Sequence, residues 1–206
     1  MKTAVEAIIH SIQKQQQQKP PPLLVAIDGG SGSGKSTLAA LVAQEIDAVV
    51  VPGDDFYAAH TPDAAWDSYT AAERARDCIN WRRLRAEALE PLLSGQTARW
   101  HPFDFATGPN PDGTYNLAST TIERHPKSVI LLDGAYSARP ELADLVTLSV
   151  LINVPTAERH ARLAKREPPD FLATWHRRWD PAEAYYFSQV CPPSSFDLVI
   201  ENGVTQ

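Results

Sequence analysis

Gly29-Gly30-Ser31-Gly32-Ser33-Gly34-Lys35-Ser36 is the stretch of this chain whose residue types and spacing most directly specify chemistry. It satisfies G-x-x-x-x-G-K-[ST], a pattern in which glycines let successive backbone N–H groups turn into one concavity. A helix starting there adds the positive end of its dipole, so the concavity suits the phosphates of ATP or GTP. Gly29 through Thr37 are the expected nucleotide contacts. Lys35 would place a point charge at the β- and γ-phosphates, and the Ser36 hydroxyl could ligate Mg²⁺. A dinucleotide fingerprint is excluded, because no G-x-G-x-x-G can be drawn through Gly29–Gly34. A flexible Gly/Ser linker would not sit between an apolar strand and a helix.

Two further constellations carry charge. Asp54 and Asp55 follow the apolar run that ends at Pro52-Gly53, and Asp133 follows Val129–Leu132. A carboxylate just beyond a strand's C-terminal end can accept the proton of an attacking hydroxyl or hold a metal, the Walker-B position for Asp133. The plainer reading of Asp54-Asp55 is a helix or turn cap. Arg159, Arg162 and Arg166 fall at helical spacing with Lys165 beside them, as guanidinium groups for transferring phosphates would. A solvated helix face paired with Glu158 and Glu167 is the alternative. Trp175, Trp179, Tyr185, Tyr186 and Phe187 read first as core packing, with the wall of an acceptor pocket as the other option. His60, His101, His125, His160 and His176 lack metal-ligand spacing, so a zinc centre is not expected.

The elements that must position these groups alternate. Leu23–Ile27, Ala48–Val51, Val129–Leu132, Leu148–Val154 and Leu198–Ile200 read as buried parallel strands. Thr37–Ile46, the Leu84–Leu93 stripe ending at Ser94-Gly95, Ala157–Arg166 and Phe171–Gln189 read as helices. This is an α/β P-loop fold, a parallel sheet with helices on both faces. Ala98–Phe103 and Thr114–Thr121, separated by Gly108–Gly113, read as a small inserted β-hairpin. Residues 1–22 stand apart as an amphipathic helix, a Gln tract and a Pro spacer, leaving 23–206 as the P-loop domain. The helix would pack on the domain or bind a partner.

Composition bounds the rest. The chain has 206 residues, one domain's worth, with 19 Lys+Arg against 25 Asp+Glu. The net charge of −6 excludes a generally basic binder of nucleic acid or membrane surface, leaving room only for a local basic patch. Cys78 and Cys191 are too few for a disulfide scaffold or a four-cysteine zinc site. No apolar run spans a bilayer and no signal-peptide core precedes the domain, so the cytosol is the expected compartment.

From Leu23 to Gly203 the chain resembles the uridine kinase-like nucleoside kinases, a group that neighbours phosphoribulokinase and bacterial pantothenate kinase. Ala26–Thr37 and Asp54-Asp55-Phe56-Tyr57 carry the likeness most specifically, with Asn80–Leu84, Phe103-Asp104-Phe105, Asp133–Tyr136 and Phe196–Ile200 as further landmarks. The resemblance implies ATP and Mg²⁺, with Asp54 as general base, Asp133 at the metal, and Arg162 and Arg166 on the phosphates. It implies an acceptor site of Asp54, Tyr57, Asn80, Phe103 and Asp104. Asn80 stands where the group has an Asp for ribose hydroxyls, Phe103 replaces a Tyr, and Thr107-Gly108 occupies the place of a His. The expected activity is phosphoryl transfer to a hydroxyl of a small molecule, a nucleoside by resemblance. A kinase for another hydroxyl metabolite and a P-loop NTP-binding regulator are the alternatives. No nucleic-acid or membrane partner is expected, and a homo-oligomer is left open.

Overall fold

The computed structural model describes residues 2–203. Leu23–Asp28 (β1) is buried at every position, because it lies at the centre of a five-stranded parallel sheet. The order is β2 (Ala48–Pro52), β5 (Val129–Asp133), β1, β6 (Val146–Asn153), β7 (Leu198–Glu201). Side chains alternate across the pleat, and the two faces fill with different residues. Val25, Ile27, Val129, Leu131, Val150 and Ile152 pack with α1 (Lys2–Gln16) and α2 (Lys35–Glu45). Leu24, Val51, Ile130, Leu132 and Leu151 form the opposite core. That core includes residues of α3 (Ala71–Asp77), of the helical run α4–α5 (Trp81–Leu84 and Glu90–Leu93, joined by a π segment), and of α7 (Pro169–Tyr185).

Helix α1 is held by its apolar stripe. Ile8 and Ile12 are fully buried and Val5 nearly so. Burying two isoleucines contributes about 1.5–3 kcal/mol each, which outweighs the weaker helix preference of the β-branched Thr3, Val5, Ile8, Ile9 and Ile12.

Three boundaries differ from the sequence expectation. The small hairpin pairs β3 (Ala98–Trp100) with β4 (Ile122–Arg124), so its second strand lies beyond Thr114–Thr121. The intervening loop pairs with the chain just past the first strand around Leu117, where Asp104 N donates to Asn116 O and Ala118 N to Pro102 O, and otherwise bonds largely to itself. Asp112 caps Thr114, Asn110 bonds Thr114 and Asn116, and only Leu117 forms a bridge, with Phe103. Such local side-chain bonds compete with a ladder. Helix α6 spans Thr156–Ala164 and ends before Arg166. Helix α7 changes at Tyr186 into a π turn that runs to Val190. The two cysteines are free and buried.

Candidate active site

The carboxyl ends of β1, β2 and β5 align in register, Asp133 lying opposite both Ile27 and Pro52. Everything that follows those strands therefore meets at one edge. The loop from β1 to α2 turns through Gly32 and Gly34, whose φ values of 79° and 89° are left-handed and tolerated by glycine. A Cβ on Gly32 would also lie 2.7 Å from the Arg159 carbonyl oxygen. Gly34 is the N-cap of α2, and among the described residues no side chain caps that end. The amides of Lys35, Ser36 and Thr37 thus have no partner within the helix, and its dipole adds positive charge. This is an anion cradle.

Asp133 closes the cradle from β5. It is 7% exposed, and among the described residues its Oδ1 has no hydrogen-bond partner. Burial pushes its pKa up, the Lys35 charge and a hydrogen bond from Ser36 pull it down, and Asp54 pushes it up. A buried carboxylate oxygen without a partner is costly unless a cation takes it. With the Ser36 hydroxyl it makes a hard oxygen donor set, which fits Mg²⁺.

The acids after β2 separate. A 3₁₀ turn, Gly53–Phe56, presents Asp54 to solvent at the cradle. Asp55 points inward and accepts from Trp100 Nε1 at 2.8 Å. Burial, seconded by the Asp54 charge, raises its pKa against the Trp100 bond.

Beyond this turn opens a cavity of about 400 Å³ lined by Tyr57, His60, Asn80, Arg83, Tyr115 and Asn116, among others. Its size suits a small organic molecule. Tyr57 is braced edge-on by Phe103 at 5.1 Å and by Trp179 at 5.9 Å. Asn80 Oδ1 accepts from the Arg83 amide at 3.0 Å, capping α4 and leaving the Asn80 NH₂ for an occupant. Phe103 packs behind the wall, 5% exposed. Asp104 stands apart, because its carboxylate accepts from the amides of Ala106 and Thr107 and from the Thr107 hydroxyl in a tight turn.

The arginines divide. Arg162 donates to the carbonyls of Gly32, Ser33 and Asn202 and pairs with Glu158 at 2.6 Å. Arg166 lies past the helix, its side chain 68% exposed and paired with Glu167. Arg159 donates to the Ser31 carbonyl and to Glu183 at 2.7 Å, and Glu183, 3% exposed, accepts the Ser31 amide at 2.8 Å. The outer rim of the loop is thus bolted to α6 and α7. Glu183 and Arg159 escape sequence reading as loop partners, since nothing near either residue points to Ser31. Asp28 is the other missed support. Fully buried, it accepts from the amides of Gly29, Tyr136 and Ala138 and from the Tyr186 hydroxyl. The aromatic stretch of α7 is mainly packing, with Trp179 reaching Tyr57 as well.

The fold is similar to that of P-loop kinases. A family model described as Zeta toxin matches residues 7–94, under half of the chain. Among curated proteins none matches the sequence. Among solved structures, a possible uridine kinase from Bacillus stearothermophilus superposes with TM-score 0.71 at 18% identity, covering 97% of this chain and 98% of the other. A protein assigned as a fructose transport system kinase from Silicibacter sp. gives 0.69 at 23% identity, covering 96% and 98%. D-glycerate 3-kinase from Cryptococcus neoformans var. grubii gives 0.61 at 12% identity, covering 98% and 92%. At these identities the likeness is one of fold, and the fold is that of small-molecule P-loop kinases. Among the described residues no helix is long and apolar enough to cross a membrane.

Proposed function

We propose that the protein transfers the γ-phosphoryl group of ATP to a hydroxyl of a small polar molecule of nucleoside-like size. The observation that carries this reading is the meeting, at one sheet edge, of an uncapped helix start, Lys35, the unpartnered Asp133 oxygen and exposed Asp54. A switch protein would need the first three, whereas exposed Asp54 and a cavity lined by Tyr57, just past it in the chain, favour a kinase.

Residues Gly29 to Thr37 would hold the triphosphate, the loop amides and Lys35 taking the β- and γ-phosphates. Ser36 and Asp133 would hold Mg²⁺, which when bound neutralises charge on the phosphate oxygens. Asp54 orients the acceptor hydroxyl and takes its proton. The acceptor oxygen bonds to the γ-phosphorus as the bond to the bridging oxygen breaks, and ADP leaves. Tyr57 and Asn80 would seat the acceptor, with Phe103 fixing Tyr57. Asp104 would act by shaping the neighbouring turn. Arg162 and Arg166 are assigned to charge on the transferred group, Arg162 through the phosphate loop it already braces. Arg166 can exchange a weak, salt-screened pair with Glu167 for a phosphate.

A thermal-shift screen of nucleosides, sugars and sugar acids, run with Mg²⁺ and a non-hydrolysable ATP analogue, tests this. The analogue should stabilise the protein alone, and an acceptor should add a further shift. Hits should then yield ADP with ATP in a coupled assay. Failure of the analogue to stabilise the protein would overturn the reading.

A further inference from the structure

We infer that His160, His176 and Asp180 form a binding site for a zinc-class divalent cation, stapling α6 to α7. The sequence gives no hint of it, since His160 belongs to one helix and the other two to the next. Folding brings the imidazoles to a centroid separation of 3.9 Å. His160 Nε2 lies 3.0 Å and His176 Nδ1 3.1 Å from Asp180 Oδ2. All three donor atoms fall within 4.8 Å of one another. A tetrahedral ion with bonds of about 2.0–2.1 Å sets its donors about 3.3 Å apart, close to the two His–Asp separations.

One observation favours a cation over a simple His–Asp contact. His160 Nε2 is shielded from solvent yet, among the described residues, makes no well-formed hydrogen bond, its approach to Asp180 being misaligned. His176 and Asp180 sit one helical turn apart, so both project from the same face of α7 toward α6. Two nitrogens and one carboxylate disfavour Mg²⁺ and Ca²⁺, which take oxygen, and suit Zn²⁺ and its borderline neighbours. Three protein ligands leave a fourth position open. Asp180 also lines a cavity of about 330 Å³, together with Gly30, Asn153, Arg159 and Glu183.

The site is separate from the Ser36–Asp133 pair and independent of the kinase reading. Its consequence reaches the phosphate loop all the same. His160 adjoins Arg159, and Asp180 lies on the helix that carries Glu183, the two residues holding Ser31. A bound cation would lock the helices that grip the loop.

The probe is Co²⁺, whose visible bands report tetrahedral nitrogen and oxygen ligation, titrated into the untagged full-length chain after chelator treatment. One equivalent should bind and be displaced by Zn²⁺ but not by Mg²⁺, and Zn²⁺ should raise the melting temperature of the wild type more than that of the three variants below. His160→Gln, His176→Gln and Asp180→Asn should each weaken binding at least about tenfold and abolish the bands. His10→Gln, on the exposed side of α1, should change neither. Metal-free melting curves of the three variants show whether each is folded, and any one folded variant suffices. Absence of stoichiometric tetrahedral Co²⁺, or its survival at full affinity in a folded variant, overturns the site.

Discussion

Asp28→Asn is the sharpest test of how this site is held. The carboxylate is 0% exposed. Its Oδ1 accepts from Gly29 N at 2.7 Å and Tyr136 N at 2.9 Å, and its Oδ2 from Ala138 N at 2.9 Å and Tyr186 Oη at 2.8 Å. An amide of the same shape must turn its NH₂ toward one of these pairs. On the Oδ2 side the Tyr186 hydroxyl can rotate to accept, but the Ala138 amide cannot. One buried N–H is then orphaned, at about 1–3 kcal/mol, and the remaining bonds lose about 1 kcal/mol each of charge assistance. Relief from burying a carboxylate, which pushes the Asp28 pKa up, returns part of this. The net loss should be about 2–4 kcal/mol, a large share of the ~5–15 kcal/mol typical of a domain. Urea unfolding at unchanged m-value measures it. Tyr186→Phe alone should cost about 1–2 kcal/mol, and less in the Asn background, where the hydroxyl has already lost its charged partner. A loss under about 0.5 kcal/mol for Asp28→Asn, within the scatter of neutral surface changes, refutes the argument.

Lys35→Ala should abolish most phosphoryl transfer and weaken nucleotide binding, read by coupled turnover and titration; near wild-type turnover would remove the phosphate-loop assignment. Asp54→Asn should keep nucleotide binding and lose about 10²-fold or more in kcat, with Asp55→Asn far milder; the reverse ranking exchanges their roles. Asp55 has its pKa raised by burial, so the stability it contributes is full below its ordinary value of 3.8 and is lost as pH rises through the raised value. Asp55→Asn, neutral throughout and still able to accept from Trp100, should therefore melt above wild type near pH 7 and no higher near pH 3. Uridine and cytidine should be poor substrates, because Asn80, Phe103 and Gly108 withhold a carboxylate, a hydroxyl and an imidazole; a kcat/KM above roughly 10⁵ M⁻¹s⁻¹ would sink this.

What could be read before folding was whatever chemistry is local. The phosphate loop announces itself because its glycines, lysine and serine act through their own backbone and the helix they begin. Asp133 was legible because a strand's apolar run marks where it ends. Supports recruited from afar were not. Glu183 meets Ser31 across most of the chain, and His160 meets Asp180 only when α6 and α7 pack. Asp104 was misleading in the opposite way, since the resemblance of Phe103-Asp104-Phe105 to a family landmark implied an acceptor contact while its carboxylate closes its own turn. The hairpin's second strand was displaced for a related reason, since the loop ahead of it is built from Asx-type bonds that no alternation pattern reveals.

Tyr57 stands between the cavity and two indoles, 5.9 Å from Trp179 and 5.8 Å from Trp66, which are themselves 5.5 Å apart. Trp66 is 1% exposed and packs against the Tyr57 ring that lines the cavity. An occupant that shifts Tyr57 alters the local field and quenching at both indoles together. The cavity thus carries a built-in optical reporter, and tryptophan emission can follow its filling without a label or turnover.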